Sequence, residues 1–322
     1  MLRSSSRVSS WRLPALWASS FILFCDASPT LAANAKNCPP PQLASVDIAI
    51  AGPTLVPVTL GGQPAWMMLQ TDAALTLLHQ DAINSLQLPT HALGKDAMEI
   101  TLGGRRVTQA ASFKPMQLGS LTFSRTEFLV DPFPHPSPVY EGRLVAGSLA
   151  MDLLWPFDIE LDLAKRKLAL YSPGNCGAAA VTWSRHYGRI PMDFTAVGDF
   201  YFTVEIDGKK LETSIATSLE SSQMTVDVGR LLYPGGTNLP GEVLTRLVRL
   251  AAGDLVIPDK IQLTPTPGGC ELSAAGRPDG ALGYDRCYGR YPLVLGRSAL
   301  QNLHLYFATR EKVIYFTVAD VQ

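Results

Sequence analysis

Two short polar clusters have residue types that could do chemistry. Thr71, Asp72 and Thr76 lie together in "LQTDAALT", and Thr217, Ser218 and Ser222 lie together in "IATSLESS". In each, a hydroxyl residue follows an apolar run and a second hydroxyl follows five residues later. Such groups can hold a loop through side-chain-to-backbone bonds, or Asp72 could act as a general acid or base. Other chemistries have less material. His79, His91, His135, His186 and His304 are scattered, with no H-x-x-x-H pair to bind a metal. "AGSLA" around Ser148 lacks the G-x-S-x-G pattern of a nucleophile elbow. "GGRR" at Gly103–Arg106 reads as a hairpin tip rather than a phosphate loop. Nothing in these patterns implies a cofactor.

The elements that carry the two clusters repeat at one offset. Sliding the chain on itself by 146 residues lays Leu55–Thr76 on Tyr201–Ser222 without a gap. Val58 meets Val204, Gly62 meets Gly208, Thr71 meets Thr217 and Thr76 meets Ser222. Each copy reads as an alternating strand, a two-residue turn ("GG" or "DG"), a second strand and a small polar triplet. The same offset lays Leu149–Tyr171 on Leu295–Thr317, where each copy reads as a short helix, a strand, a charged turn and a strand. Strands therefore dominate, with short helices expected at 77–86, at 240–250 and at the start of the two downstream blocks. "VDPFPHPSPVY", with four prolines, reads as a stiff extended loop, either at a cleft edge or on the open surface.

This pattern resembles the aspartic peptidases, in particular exported bacterial proteins with a retropepsin-like or pepsin-like fold. The resemblance rests on "LQTDAALT" with "GSLAMDLLWPFDIELD" in the first half, and on "IATSLESS" with "PLVLGRSALQNLHLYF" in the second. It implies a mainly β, two-lobed fold, with lobes spanning 44–175 and 190–320. It also implies a cleft between them, floored by an Asp-Thr/Ser-Gly loop from each lobe. The catalytic Asp positions are held here by Gln70 and Ala216. Thr71 and Thr217 keep the hydroxyl that, in the family, bonds across the lobe interface. The family glycines become Asp72 and Ser218. The family reaction needs two carboxyl groups sharing a proton. A glutamine has no ionisable group to remove a proton from water, and an alanine has no polar atom. Peptidase activity is therefore expected to be lost, and the cleft floor to be neutral and hydrogen-bonding. Asp72 reads as a polar turn residue, the alternative being a relocated carboxylate. "MEITLGGRRVTQAASF" is either the family's flap over the cleft or a plain scaffold hairpin.

Residues 1–35 read as a secretory signal: Arg3, Arg7 and Arg12, then "LPALWASSFILFC", then a small-x-small site at Ala33–Ala35. Removing it shifts the formal net charge from −1 to −3 and leaves no other segment long and apolar enough to span a membrane. Neither value gives reason to expect nucleic acid as a partner. Four cysteines remain, an even number that suggests two disulfides in an oxidising compartment, the periplasm or outside the cell. Zinc is disfavoured by the lack of a C-x-x-C pair. Given the lobes, Cys38–Cys176 would tie the ends of the first, and Cys270–Cys287 would close a loop within the second. The resulting expectation is an exported, catalytically inactive aspartic-peptidase-like protein that binds a peptide or protein segment in its cleft. An active endopeptidase with atypical residues and a structural protein with an idle cleft stand as alternatives. The sequence does not settle oligomeric state.

Overall fold

The computed structural model describes residues 38–320, apart from 95–99, 114, 196–198, 251–254 and 286–289. The expected signal segment lies outside the described residues. The chain is mainly β, 49% strand and 9% helix.

Local sequence accounts for the hairpins that carry the polar clusters. Thr54–Leu60 and Gln63–Gln70 are joined by Gly61 and Gly62, at φ +57° and +86°. Phe200–Ile206 and Lys209–Ile215 are joined by Asp207 and Gly208, at φ +48° and +77°. Two consecutive positive φ values match the right-handed twist of the flanking strands, which is why Gly-Gly and Asp-Gly serve there. Along Phe200–Ile206 the side chains alternate in burial, with Phe200, Phe202, Val204 and Ile206 inward.

Each second strand of these hairpins then pairs in parallel with a strand from far downstream. Gln63–Gln70 lies beside Arg143–Ala150, with Gln70 opposite Ala150. Lys209–Ile215 lies beside Leu293–Leu295, with Ile215 opposite Leu295. The segment between slips in on the other side: Leu77–Leu78 pairs antiparallel with the first downstream strand and Ser222–Thr225 with the second. Four-residue helices follow, Met151–Leu154 and Arg297–Leu300, at the sites expected. In the second half a six-strand barrel closes, because Phe200–Ile206 also pairs with Val243–Leu250.

Six antiparallel strands contributed by both halves form one continuous stretch of sheet. Their order is Gln42–Asp47, Lys167–Tyr171, Asp158–Asp162, Leu303–Ala308, Val313–Val318 and Gly188–Phe194. The halves meet where Ile159 faces Phe307 and Leu161 faces Leu305. Here the 146-residue offset extends further than the sequence suggested, since Gln42–Asp47 corresponds to Gly188–Phe194. A buried apolar cluster runs through both halves, from Val56 and Met67 to Leu293 and Phe316.

One element expectation needs correction. Residues 240–250 do not form a helix: Val243–Leu250 is a strand, paired along its length with Val256–Thr264. Val248 and Leu250 are buried by barrel closure rather than on a helical face. The helix of this region is Val226–Leu232, at the 146-residue offset from Gln80–Ser85.

Cys38 and Cys176 form a disulfide with a Cα–Cα distance of 5.6 Å. Cys270 is also disulfide-bonded; Cys287, its expected partner, lies outside the described residues. No helix among the described residues is long and apolar enough to cross a membrane.

Candidate functional site

The two polar loops meet at the centre of the molecule. Thr71 and Thr217 are buried, and each reaches across to the strand that leads into the other's loop. Thr71 Oγ1 donates to the Ile215 carbonyl at 2.6 Å, and Thr217 Oγ1 donates to the Leu69 carbonyl at 2.6 Å. Each hydroxyl also accepts from the other threonine's backbone N–H, at 3.2 and 3.4 Å. Thr54 Oγ1 adds a bond to the Thr217 carbonyl at 2.9 Å. Five hydrogen bonds thus fix the two loops against each other in a buried setting, where leaving one unmade would cost about 1–3 kcal/mol.

Behind each loop a hydroxyl clamps the parallel strand. Thr76 Oγ1 accepts from Ala150 N–H at 3.0 Å, and Ser222 Oγ accepts from Gly296 N–H at 2.9 Å. The clamp is anchored on one side by Asp152, which accepts from Thr76 Oγ1 at 2.6 Å and is paired with Arg125.

Gln70 is half-buried at the end of its strand, and Ala216 is fully buried at the end of the other. One residue beyond each threonine, Asp72 and Ser218 face each other, with Ser218 Oγ donating to Asp72 Oδ1 at 3.3 Å. Asp72 is solvent-accessible at its edge, yet crowding by neighbouring atoms pushes its carboxyl pKa upward. The Ser218 bond opposes that shift without cancelling it. Asp199, at the mouth of Phe200–Ile206, also has a raised pKa, first from burial and then from the charge of Asp72. Both shifts favour the neutral form of these carboxyl groups.

Asp72 borders a cavity of about 340 Å³ that runs over the second half's barrel. Ser214, Gln223, Arg290 and Tyr291 line it. Ser214 is only 2% exposed, and its hydroxyl makes no hydrogen bond among the described residues. Tyr291 Oη is likewise buried without a partner there. Burial pushes its pKa up, so it stays a neutral donor. The cavity thus offers an acceptor (Asp72), donors (Tyr291, Arg290) and groups of both kinds (Ser214, Gln223), on either side of an apolar floor that includes Val294.

The other candidates are placed elsewhere. His91 pairs with Glu127 at 3.0 Å, and His304 pairs with Glu160 at 2.7 Å while stacking on Trp183. His79 and His135 lie ring to ring at 5.6 Å, and His186 is exposed. No group of three or more metal-binding side chains is present among the described residues. The Gly103–Arg106 tip packs on the proline-rich loop, with Arg105 over the Phe133 ring at 4.9 Å; neither lines the cavity at Asp72. Asp199, Ser214, Arg290 and Tyr291 carried no sequence signal. Asp199 corresponds to Pro53 under the offset, so the repeat itself hides it.

Strand-loop-strand units clamped by paired threonines, a closed barrel and a shared six-strand sheet define a mainly β, pepsin-like fold. Residues 56–153 match the aspartyl protease family model. The crystal structure of basic 7S globulin from soybean is similar, with a TM-score of 0.50 over 88% of this chain and 96% of that chain, at 8% identity. No curated protein matches the sequence. The chain thus has a pepsin-like fold, and its residues 56–153 resemble the aspartyl proteases.

Proposed function

We propose that this is an exported, non-catalytic member of the aspartic-peptidase-like proteins that binds a peptide or protein segment in the cleft between its two loops. The observation that carries this reading is the pairing of Asp72 with Ser218. At the positions of the family glycines a carboxyl here meets a hydroxyl, while Gln70 and Ala216 stand at the dyad positions. The threonine bonds that hold the loops together remain intact, so the groove keeps its shape without the acid pair. Unpartnered Ser214 and Tyr291 hydroxyls suit the amides of an extended chain. Export is supported by the leader-like residues 1–35 and by the Cys38–Cys176 disulfide.

One observation favours a second reading. Asp72 and Asp199 both have raised pKa values, and Asp72 contributes to the shift of Asp199, as two acids sharing a site would. A hydrolase using this pair would have moved its carboxyls rather than lost them. Incubating the purified protein with a diverse peptide library from pH 3 to 8 separates the two. The binding reading expects no cleavage but retention of a subset of peptides, weakened in Ser214→Trp. Cleavage abolished by both Asp72→Asn and Asp199→Asn would replace it with the hydrolase reading.

A further inference from the structure

A second cavity, of about 610 Å³, opens on the side of the second barrel away from Asp72, and shares no lining residue with the first. Its chemistry becomes clear when the two halves are compared. In the first half, the Thr76 hydroxyl donates to Asp152, and Arg125 completes the cluster by pairing with the same carboxylate. In the second half, Ser222 corresponds to Thr76 and Ser298 corresponds to Asp152, both at the 146-residue offset. The carboxylate comes instead from Asp259, whose Oδ1 accepts from Ser298 Oγ at 2.6 Å. Asp259 is 3% exposed; its Oδ1 also accepts from Lys260 N–H at 2.8 Å, the Ser222 hydroxyl interacts with the carboxyl, and Oδ2 has no partner in full hydrogen-bond geometry among the described residues.

The missing partner can be located by strand register. Leu129 faces Leu77 in the first half, and Gln262 faces Gln223, the offset equivalent of Leu77, in the second. Four residues before Leu129 stands Arg125; four residues before Gln262 stands Pro258. Counted back from that register, Arg125, just before the strand Glu127–Val130, has Pro258 at the corresponding position in the second half. Pro258 and Asp259 both line the cavity. Burial pushes the Asp259 pKa up, and a cation from outside at this place would hold the carboxyl ionised against that burial.

Anion-binding groups line the same cavity. Arg297 is 8% exposed, and its Nη1 donates to the carbonyls of Thr217 at 3.3 Å and Ser218 at 3.2 Å. Its Nε and Nη2 make no hydrogen bond among the described residues. Lys260 and Glu220 stand on the exposed rim. The cavity therefore presents guanidinium and ammonium groups, with Glu220 as the charge nearest Arg297, together with the buried carboxyl of Asp259.

We propose that this cavity binds a small zwitterion, a free amino acid or short peptide, with its ammonium group on Asp259 and its carboxylate on Arg297 and Lys260. Apolar contact from Ile50 and Leu163 leaves room for an aliphatic body. Because Arg297 also holds the Thr217 and Ser218 carbonyls, it is left unchanged in the test.

Calorimetric titration of the full chain with the common L-amino acids, diglycine and trialanine should find binding by at least one of them. Methylamine and acetate, which each carry one of the two charges, should bind at least about tenfold more weakly. Asp259→Asn and Lys260→Ala should each weaken the zwitterion by about tenfold or more. Thr245→Trp, at the exposed rim, should block entry and needs no change in the interior. No binding by any member of the panel at millimolar concentration overturns the proposal. So does binding that survives both Asp259→Asn and Thr245→Trp, or methylamine binding as tightly as the zwitterion. The cleft reading does not depend on any of these outcomes, since peptide retention there is read with Ser214→Trp.

Discussion

Asp72 holds a solvent-accessible carboxyl group whose crowding by neighbouring atoms favours the neutral form, and this gives its titration a definite sign. In the unfolded chain it ionises near the ordinary aspartate value of about 3.9; in the folded chain its pKa is raised, chiefly by desolvation. Below the unfolded value both states carry the proton, and Asp72 does not distinguish them. As pH rises through the folded value, the folded state must hold a charge that the unfolded chain keeps in water, and stability is lost. Asp72→Asn removes that charge while keeping an oxygen for Ser218 Oγ. The variant should therefore match the parent near pH 3 and exceed it increasingly as pH climbs past the carboxylate range, in urea midpoints measured from pH 3 to 8. Carboxyl-carbon NMR titration should also show Asp199 ionising at lower pH in the variant, since the Asp72 charge is one cause of its shift. A midpoint difference that is flat with pH would contradict the raised value. This behaviour was not legible in the sequence. "QTDA" reveals a polar turn, but the crowding of Asp72 and its interaction with Asp199 depend on the end of one hairpin and the start of the other, which are set only after both have folded.

At the scale of elements, the parallel strand pair of each half tolerates different residues at one position. A Cβ at Gly296 would lie 2.5 Å from the backbone C and O of Ser221, atoms that no rotamer change can move. The corresponding residue in the first half is Ala150, buried and accommodated. Gly296→Ala should therefore destabilise by about 1–3 kcal/mol, whereas Ala150→Gly should change stability by less than about 1 kcal/mol. Chemical denaturation of both variants tests the contrast, and equal effects would mean that the halves are packed alike there. The hairpins were readable in advance because Gly-Gly and Asp-Gly dictate turn type, and alternation dictates facing. Val226–Leu232 was not, because "VDVGRLL" carries a glycine inside a short helix and offers too few turns for a periodic signal. Val243–Leu250 misled for the opposite reason. Its apolar residues suit a helix stripe, and only closure onto Phe200–Ile206 claims them for a strand.

At the scale of the whole molecule, the halves are joined in three ways. Thr71 and Thr217 bind each other's strands, the six-strand sheet is continuous where Ile159 faces Phe307, and Trp155 of the first half packs edge-on against Phe194 and Phe200 of the second, at 4.4 and 5.5 Å. The repeat foretold two similar units, but not that they would share a sheet, because Gln42–Asp47 and Gly188–Phe194 show little likeness as sequence. Separating the halves would bare buried threonine bonds and sheet edges together, so unfolding of one should carry the other with it. The tryptophans make this measurable. Trp66 and Trp155 lie in the first half and Trp183 in the connection, so no tryptophan belongs to the barrel of 200–295, which Trp155 touches at Phe200, whereas far-UV circular dichroism reads both halves. With the Cys38–Cys176 disulfide intact, the two signals should follow one urea transition with coincident midpoints. If dichroism instead persists after the tryptophan signal is lost, the closed barrel stands on its own core, and the shared sheet and threonine bonds do not couple the halves.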